Sequence, residues 1–205
     1  YEVYQGTQYE GHTFSDALKR LKKKYQIEKV ICVADSGMMN GDNIIETESE
    51  DYEYIIGERL KSISRKKQDE ILDIKKYQTI TVLDEDSGQV IELKYYITDY
   101  KNKKLITTYS KKRAARDKAQ REEKIEKAKK LLQDPSQLEK KAKYHYLKKQ
   151  GENTYIFDEG KIKNSERFDG FLSVATNNKN LSVAQILDAY KQLYKIEQPF
   201  RSFKT

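Results

Sequence analysis

The sequence predicts an α/β fold, and three observations carry that reading. A β-branched run, Lys29 to Ala34, is bounded by charged and small residues in the manner of a buried central strand. Segments 79–82, 90–95 and 105–108 have strand composition, and Asp86, Ser87 and Gly88 supply turn chemistry between the first two. Ile186, Ala189, Leu193, Ile196, Phe200 and Phe203 recur at steps of three or four, which makes one apolar face of a terminal helix.

Taken in order, Tyr1-Glu2-Val3-Tyr4 alternates as a strand, and Thr13 to Asp16 leads into a helix on Phe14, Ala17, Leu18, Leu21 and Tyr25. The strand from Lys29 stops at Asp35-Ser36-Gly37. Residues 41–50 form a weak helix and 52–56 a strand, which completes an α/β unit by Gly57. Beyond it, 66–77 is a short helix and an antiparallel β-rich section follows. Ser110 caps a helix over 110–132, supported by the i,i+4 pairs Glu123/Lys127 and Glu126/Lys130 and stopped by Asp134-Pro135. Its apolar face is thin (Ala114, Ile125, Ala128, Leu132), so it presents mostly Lys and Arg. Segments 155–157 and 171–174 read as a strand pair, and Ser182 with Gln185 forms a capping box for the last helix.

Composition narrows the function. At 205 residues, with 37% hydrophobic and 36% charged side chains, the chain is one folded domain, or a domain with one large insertion. No segment approaches the ~20 apolar residues of a membrane span. The single cysteine, Cys32, sits in the apolar run, which excludes a disulfide framework and a Cys-based zinc site and points to the cytoplasm. The net charge of +7 is unevenly placed: residues 101–150 hold 18 basic and 6 acidic side chains, a surface suited to a polyanion.

Two acids stand out by placement. Asp35 ends the apolar strand, where carboxylates of open α/β sheets face the ligand crevice. Glu197 lies in the terminal helix on a stripe with Tyr190, Tyr194, Arg201 and Lys204, all on one helical face. Read alone, the first is a turn residue and the second a salt-bridge partner. His12 and His145 have no metal-ligand spacing and read as surface residues; no Gly-rich phosphate loop is present.

Five stretches raise these acids above that reading: Val30 to Met38, Tyr54 to Lys61, Lys111 to Ala114, Arg167 to Asn177, and Tyr190 to Lys204. Together, and in this order, they resemble bacterial insertion-sequence transposases of the DDE type, the IS4 superfamily and most closely its IS1634 branch. The resemblance implies a ribonuclease H-like (retroviral-integrase-like) mixed sheet, with a β-rich and helical insertion before the last catalytic helix. Residues 1–61 and 171–205 would be the core, and 62–170 the insertion carrying the basic helix. It also implies two Asp on strands and a Glu on a helix holding two Mg²⁺ or Mn²⁺ ions for DNA cleavage and strand transfer. Asp35 would be the second acid and Glu197 the third, both catalytic and metal-binding.

The family's Tyr, Arg, Glu, Lys signature falls on Tyr190, Leu193, Glu197 and Lys204, so Leu193 replaces the Arg; Arg201 is a substitute cation one turn beyond Glu197. Tyr190, Arg201 and Lys204, with Lys111, Lys112, Arg113 and Arg116, would contact DNA. Two other departures are Ser36, where close relatives often have Arg, and Pro199, which should kink the helix beside Glu197. The first Asp is expected on a strand upstream of Tyr1, so the 205 residues alone should not cut DNA, and a sheet edge would be left open to association. Implied partners are transposon-end double-stranded DNA, target DNA and a second copy in the synaptic complex, in the bacterial cytoplasm at the nucleoid, with no membrane. Two readings compete: a catalytically inactive nucleic-acid-binding or decayed transposase-derived protein, favoured by Leu193 and Ser36, and a structural α/β module with a solvated basic helix.

Overall fold

The computed structural model describes residues 10–26, 29–36, 41–84, 88–133, 145–151 and 154–202. The strand expected at Tyr1 to Tyr4, the turn residues Asp86 and Ser87, the stop at Asp134-Pro135, and Phe203 and Lys204 lie outside them.

The first unit runs α1 (Glu10–Tyr25), β1 (Ile31–Ala34), α2 (Gly41–Ser49) and β2 (Glu53–Gly57). The β-branched run does form a strand, and β2 lies parallel to it with Ile31 opposite Glu53 and Ala34 opposite Ile56. Parallel neighbours need a crossover, and α2 supplies it. Next come α3 (Arg65–Ile71), β3 (Gln78–Asp84), β4 (Gln89–Tyr100), β5 (Lys103–Tyr109), α4 (Lys111–Gln133), β6 (Leu147–Lys149), β7 (Tyr155–Phe157), α5 (Glu159–Glu166), β8 (Phe171–Thr176) and α6 (Val183–Ser202).

Six strands make one mixed sheet in the order β1-β2-β8-β5-β4-β3, in which only β1 and β2 are parallel. The antiparallel section is therefore continuous with the first unit, because β8 returns between β2 and β5 and pairs with both. This corrects the expected pairing of 155–157 with 171–174: β7 pairs with β6 in a separate two-stranded ribbon. That ribbon covers the C-terminal half of α4 through Leu147, Ala128, Leu131, Leu132, Tyr155 and Phe157. The helix read over 66–77 is shorter than expected. Its helical turns stop at Ile71, where the Asp73 carboxylate accepts from the Lys75 N–H and opens a new 3₁₀ turn over Ile74–Lys76.

Strand alternation divides the apolar residues between two faces. Val33, Ile55, Ile106 and Val174 face α6 and pack on Ile186, Leu187 and Tyr190. Cys32, Ala34, Tyr54, Ile56, Leu105 and Ala175 face the opposite side, where Leu18, Ile44, Leu60, Ile63, Ile71 and Phe168 cover them. The capping box forms as read: Ser182 N–H donates to Gln185 Oε1 at 2.9 Å, and Gln185 N–H donates to Ser182 Oγ at 3.3 Å. Asn177 holds the start of β2, accepting from the Tyr54 N–H at 2.9 Å and donating to the Tyr52 carbonyl at 3.1 Å.

One glycine is required by both backbone and space. Gly170 has φ +86, and a Cβ there would lie 2.7 Å from Tyr109 Cε2, 2.9 Å from Ala114 Cβ and 2.9 Å from the Ser110 carbonyl. Its N–H donates to Asp117 Oδ2 at 3.1 Å, which docks α4 against the entry to β8. Gly170→Ala is expected to destabilise the fold by about 2–4 kcal/mol, since strain and overpacking add. A thermal melt should show the loss as a fall of several degrees; an unchanged melting temperature would mean that this docking contributes nothing.

Candidate active site

Asp35 follows directly on Ala34, at the C-terminal end of the parallel pair, and its carboxylate is exposed. Extending the register places it beside Gly57. The parity of Val33 puts it on the α6 face of the sheet. Helix α6 lies across β1 and β2 themselves. Its Tyr190 hydroxyl rests on Gly57, so the first residue of the expected signature stands at the end of β2, the strand beside Asp35. Glu197 is on the same helix two turns further on; its side chain, with those of Tyr194 and Arg201, is outside the described residues. The helical assignment continues through Pro199 to Ser202.

Gly57 is what permits this approach. A Cβ at position 57 would overlap the Tyr190 hydroxyl. Gly57→Ala is therefore expected to push the ring away from the end of β2 and lower any activity that uses Tyr190, with a loss of stability of about 1–3 kcal/mol. Gly57→Ala combined with Tyr190→Phe should regain stability without regaining activity. Recovery of both would mean that the hydroxyl has no part in the chemistry.

The end of β2 adds groups that were not read as site residues. Arg59 Nε donates to Ser36 Oγ at 2.9 Å, which ties the two strand ends together. Glu58 and Lys61 flank it, and all three open into a cleft of ≈ 390 Å³ walled by α4, Tyr146 and the Ser165 to Ser173 segment. Positive groups dominate the lining: Arg59, Lys61, Arg113, Arg121 and Lys124 against Glu58, Asp117 and Asp169. His145 lies at the cleft's rim, where loss of solvation and then the charges of Lys124, Lys61 and Lys161 hold its imidazole below the ordinary value. The signal available in sequence was Glu58-Arg59-Leu60-Lys61, a charged run directly after a strand parallel to the one bearing Asp35.

The basic helix divides into two parts. Lys111, Lys112 and Arg116 are exposed. Arg113 is half-buried: its Nε is 3.6 Å from Asp117 Oδ2, and burial pushes its guanidinium down, with the Tyr190 hydroxyl among the groups acting on its charge. Arg113 thus belongs to the cleft wall as well as to the start of α4, half-buried beside Asp117. Arg121 is buried and gripped by Asp169 at 2.5 and 2.6 Å, with Glu166 at 3.7 Å. A helix with a thin apolar face is anchored here by ion pairs and small residues, a device that hydropathy cannot reveal.

A carboxylate exposed at this strand end suits a hard divalent cation with oxygen ligands. Cys32, by contrast, is buried on the opposite face with its thiol pushed up to about 11, and takes no part. Among the described residues no three His, Cys, Asp or Glu side chains form a metal-sized cluster, and Glu197 is not among the side chains described. Nor is any described helix long and apolar enough to cross a membrane. No family model and no curated protein matches this chain.

Proposed function

We propose that this chain is the catalytic region of a DDE-type transposase, with Asp35 and Glu197 as two of its metal-holding acids and a ribonuclease H-like sheet as its frame. The observation that carries the reading is the position of α6. The helix bearing Glu197 lies over the same two parallel strands whose mouth holds Asp35, although a β-rich section separates them in sequence. Among the described residues β1 is also the last strand on its side of the sheet, and its outer edge is where an upstream strand carrying a first Asp would pair.

The residues fit phosphodiester chemistry. Two divalent ions supply charge neutralisation at the scissile phosphate and an activated oxygen nucleophile. Asp35 and Glu197 would hold them, while Tyr190, Arg59 and the cleft cations orient the strand that carries the phosphate. Arg59 bears on the competing reading of a decayed protein. The family that the chain resembles often has Arg where this chain has Ser36, and here the Arg59 guanidinium is bonded to Ser36 itself, so a cation stands at that place all the same. The deciding experiment is cleavage of transposon-end DNA with Mg²⁺ or Mn²⁺ by a chain extended upstream. DNA binding without any metal-dependent cleavage would favour the inactive binding protein.

A further inference from the structure

We propose that β3 is a self-pairing edge, through which two copies of this chain join their sheets about a two-fold axis at Thr81. The inference does not depend on the DNA reading and requires no DNA.

The backbone decides which groups of β3 are available. The turn between β4 and β5 has two residues, Lys101 and Asn102, with φ 50 and 62, which is the type I′ geometry that closes on a hydrogen-bonded pair, Tyr100 with Lys103. In an antiparallel ladder such pairs alternate, so the even residues Thr98, Tyr96 and Lys94 also turn their backbone groups towards β5. The odd residues of β4 must then serve β3, which bonds Tyr95 to Gln78, Leu93 to Ile80 and Ile91 to Val82. Thr79, Thr81 and Leu83 are left directing N–H and C=O away from the sheet, at its outer edge among the described residues.

Edges are ordinarily guarded by Lys, Pro or a bulge. This one has none of them. Gln78-Thr79-Ile80-Thr81-Val82-Leu83 carries no charge and no proline, and its register with β4 runs one to one from Gln78 to Asp84. Its surroundings are apolar as well, with Leu83 62%, Val90 68%, Ile91 39% and Ile97 43% exposed.

The strand is complementary to itself. With the axis at Thr81, the outward residues oppose one another: Thr81 meets Thr81 of the other copy, and Thr79 meets Leu83. About six backbone hydrogen bonds result, two for each narrow pair. On the α6 side of the sheet Ile80 then faces Val82 and Val82 faces Ile80, which continues the apolar stripe of Ile91, Leu93 and Ile97 across the axis. Asp84 falls opposite Gln78, so no like charges meet. Shifting the axis to Ile80 would leave only two outward pairs and about four bonds, a weaker match.

The test uses the whole chain in sedimentation or light scattering at high micromolar concentration, with circular dichroism as the check on folding. The wild type should have the mass of two chains. Thr81→Pro removes an N–H that points away from β4, so the ladder stays intact and the dimer should be lost. Thr81→Lys sets like charges against each other at the axis and should also give single chains. Under mild oxidation Thr81→Cys should cross-link, since the paired Cα atoms would be ~5.5 Å apart, within disulfide range. Thr79→Cys should not cross-link, its copies being roughly 14 Å apart. Cys32 is buried and does not interfere. A monomeric wild type would overturn the proposal. So would a dimer that survives Thr81→Lys or fails to cross-link through Thr81→Cys, which would place the contact elsewhere, for instance at the β1 edge.

Discussion

Replacing Asp35 by Asn, or Glu197 by Gln, is expected to lower metal-dependent cleavage of transposon-end DNA by about 10³-fold or more, equivalent to roughly 4 kcal/mol of transition-state stabilisation. Each change keeps the size of the side chain and removes its charge, so a loss of activity cannot be assigned to packing. Asp35 is exposed at a strand end, where the core is not built on its side chain. The assay belongs on a chain extended upstream to include the first acid that the family resemblance implies. Binding of DNA should persist in both variants, because removing a negative charge near a phosphate does not weaken its attraction. The effect should therefore fall on kcat and leave KM nearly unchanged, the pattern for groups that act in the transition state. Cleavage that survives Glu197→Gln would remove the carry-over from the family at its centre. If cleavage is absent from the extended wild type while binding is retained, the decayed-protein reading takes its place.

How much of this was legible in the sequence depended on how local the determinants are. The strand within Lys29 to Ala34 and the capping box at Ser182 and Gln185 are written in consecutive residues, and both formed, but the strand spans Ile31–Ala34 and is the outermost of the described sheet with Ile31 exposed, not the buried central strand that its composition predicts. The partner of β7 was misread because strand composition carries no information about pairing, and β6 is only three residues long. The return of β8 between β2 and β5 is likewise a long-range choice. It is enforced by residues such as Asn177, whose amide completes the hydrogen bonds of β2, and Gly170, whose left-handed φ starts the strand. At the site, placement singled out Asp35, and the resemblance singled out Tyr190. The contribution of Arg59 was hidden, because its link to Ser36 joins the ends of two strands and appears only once the strands are side by side. Arg113 and Arg121 illustrate the opposite error. Sequence alone treats every cation of a basic helix as exposed, whereas carboxylates from the same helix and from the Glu166 to Asp169 turn engage these two.

That division sets the expected result for DNA binding. Changing Lys111, Lys112, Arg113 and Arg116 together to Gln should lower the slope of log K against log salt by about 3, at ~0.9 for each lost phosphate contact. Lys111, Lys112 and Arg116 are exposed, and among the described residues only Arg116 has an acid near, Asp117 at the outer limit of 4.0 Å. Arg113 should contribute less than a full contact, because it is half-buried and already paired with Asp117 at 3.6 Å. The control is a pair from the same helix, Lys127 and Lys129, bonded to Glu123 and Glu126 at 2.5 Å each. Changing these two to Gln removes as much positive charge per residue but frees carboxylates that were compensated before. If phosphates sit on the N-terminal turns of α4, beside the Asp35 end of the sheet, the control slope should fall by less than about 1. An equal fall per residue in both variants would mean that net charge alone attracts the polyanion, with no defined path. An unchanged slope in the fourfold variant would place the DNA away from α4. The cleft cations Lys61 and Lys124 then become the next to replace, since among the described residues neither is bonded to an acid and both line the cleft between α4 and Arg59.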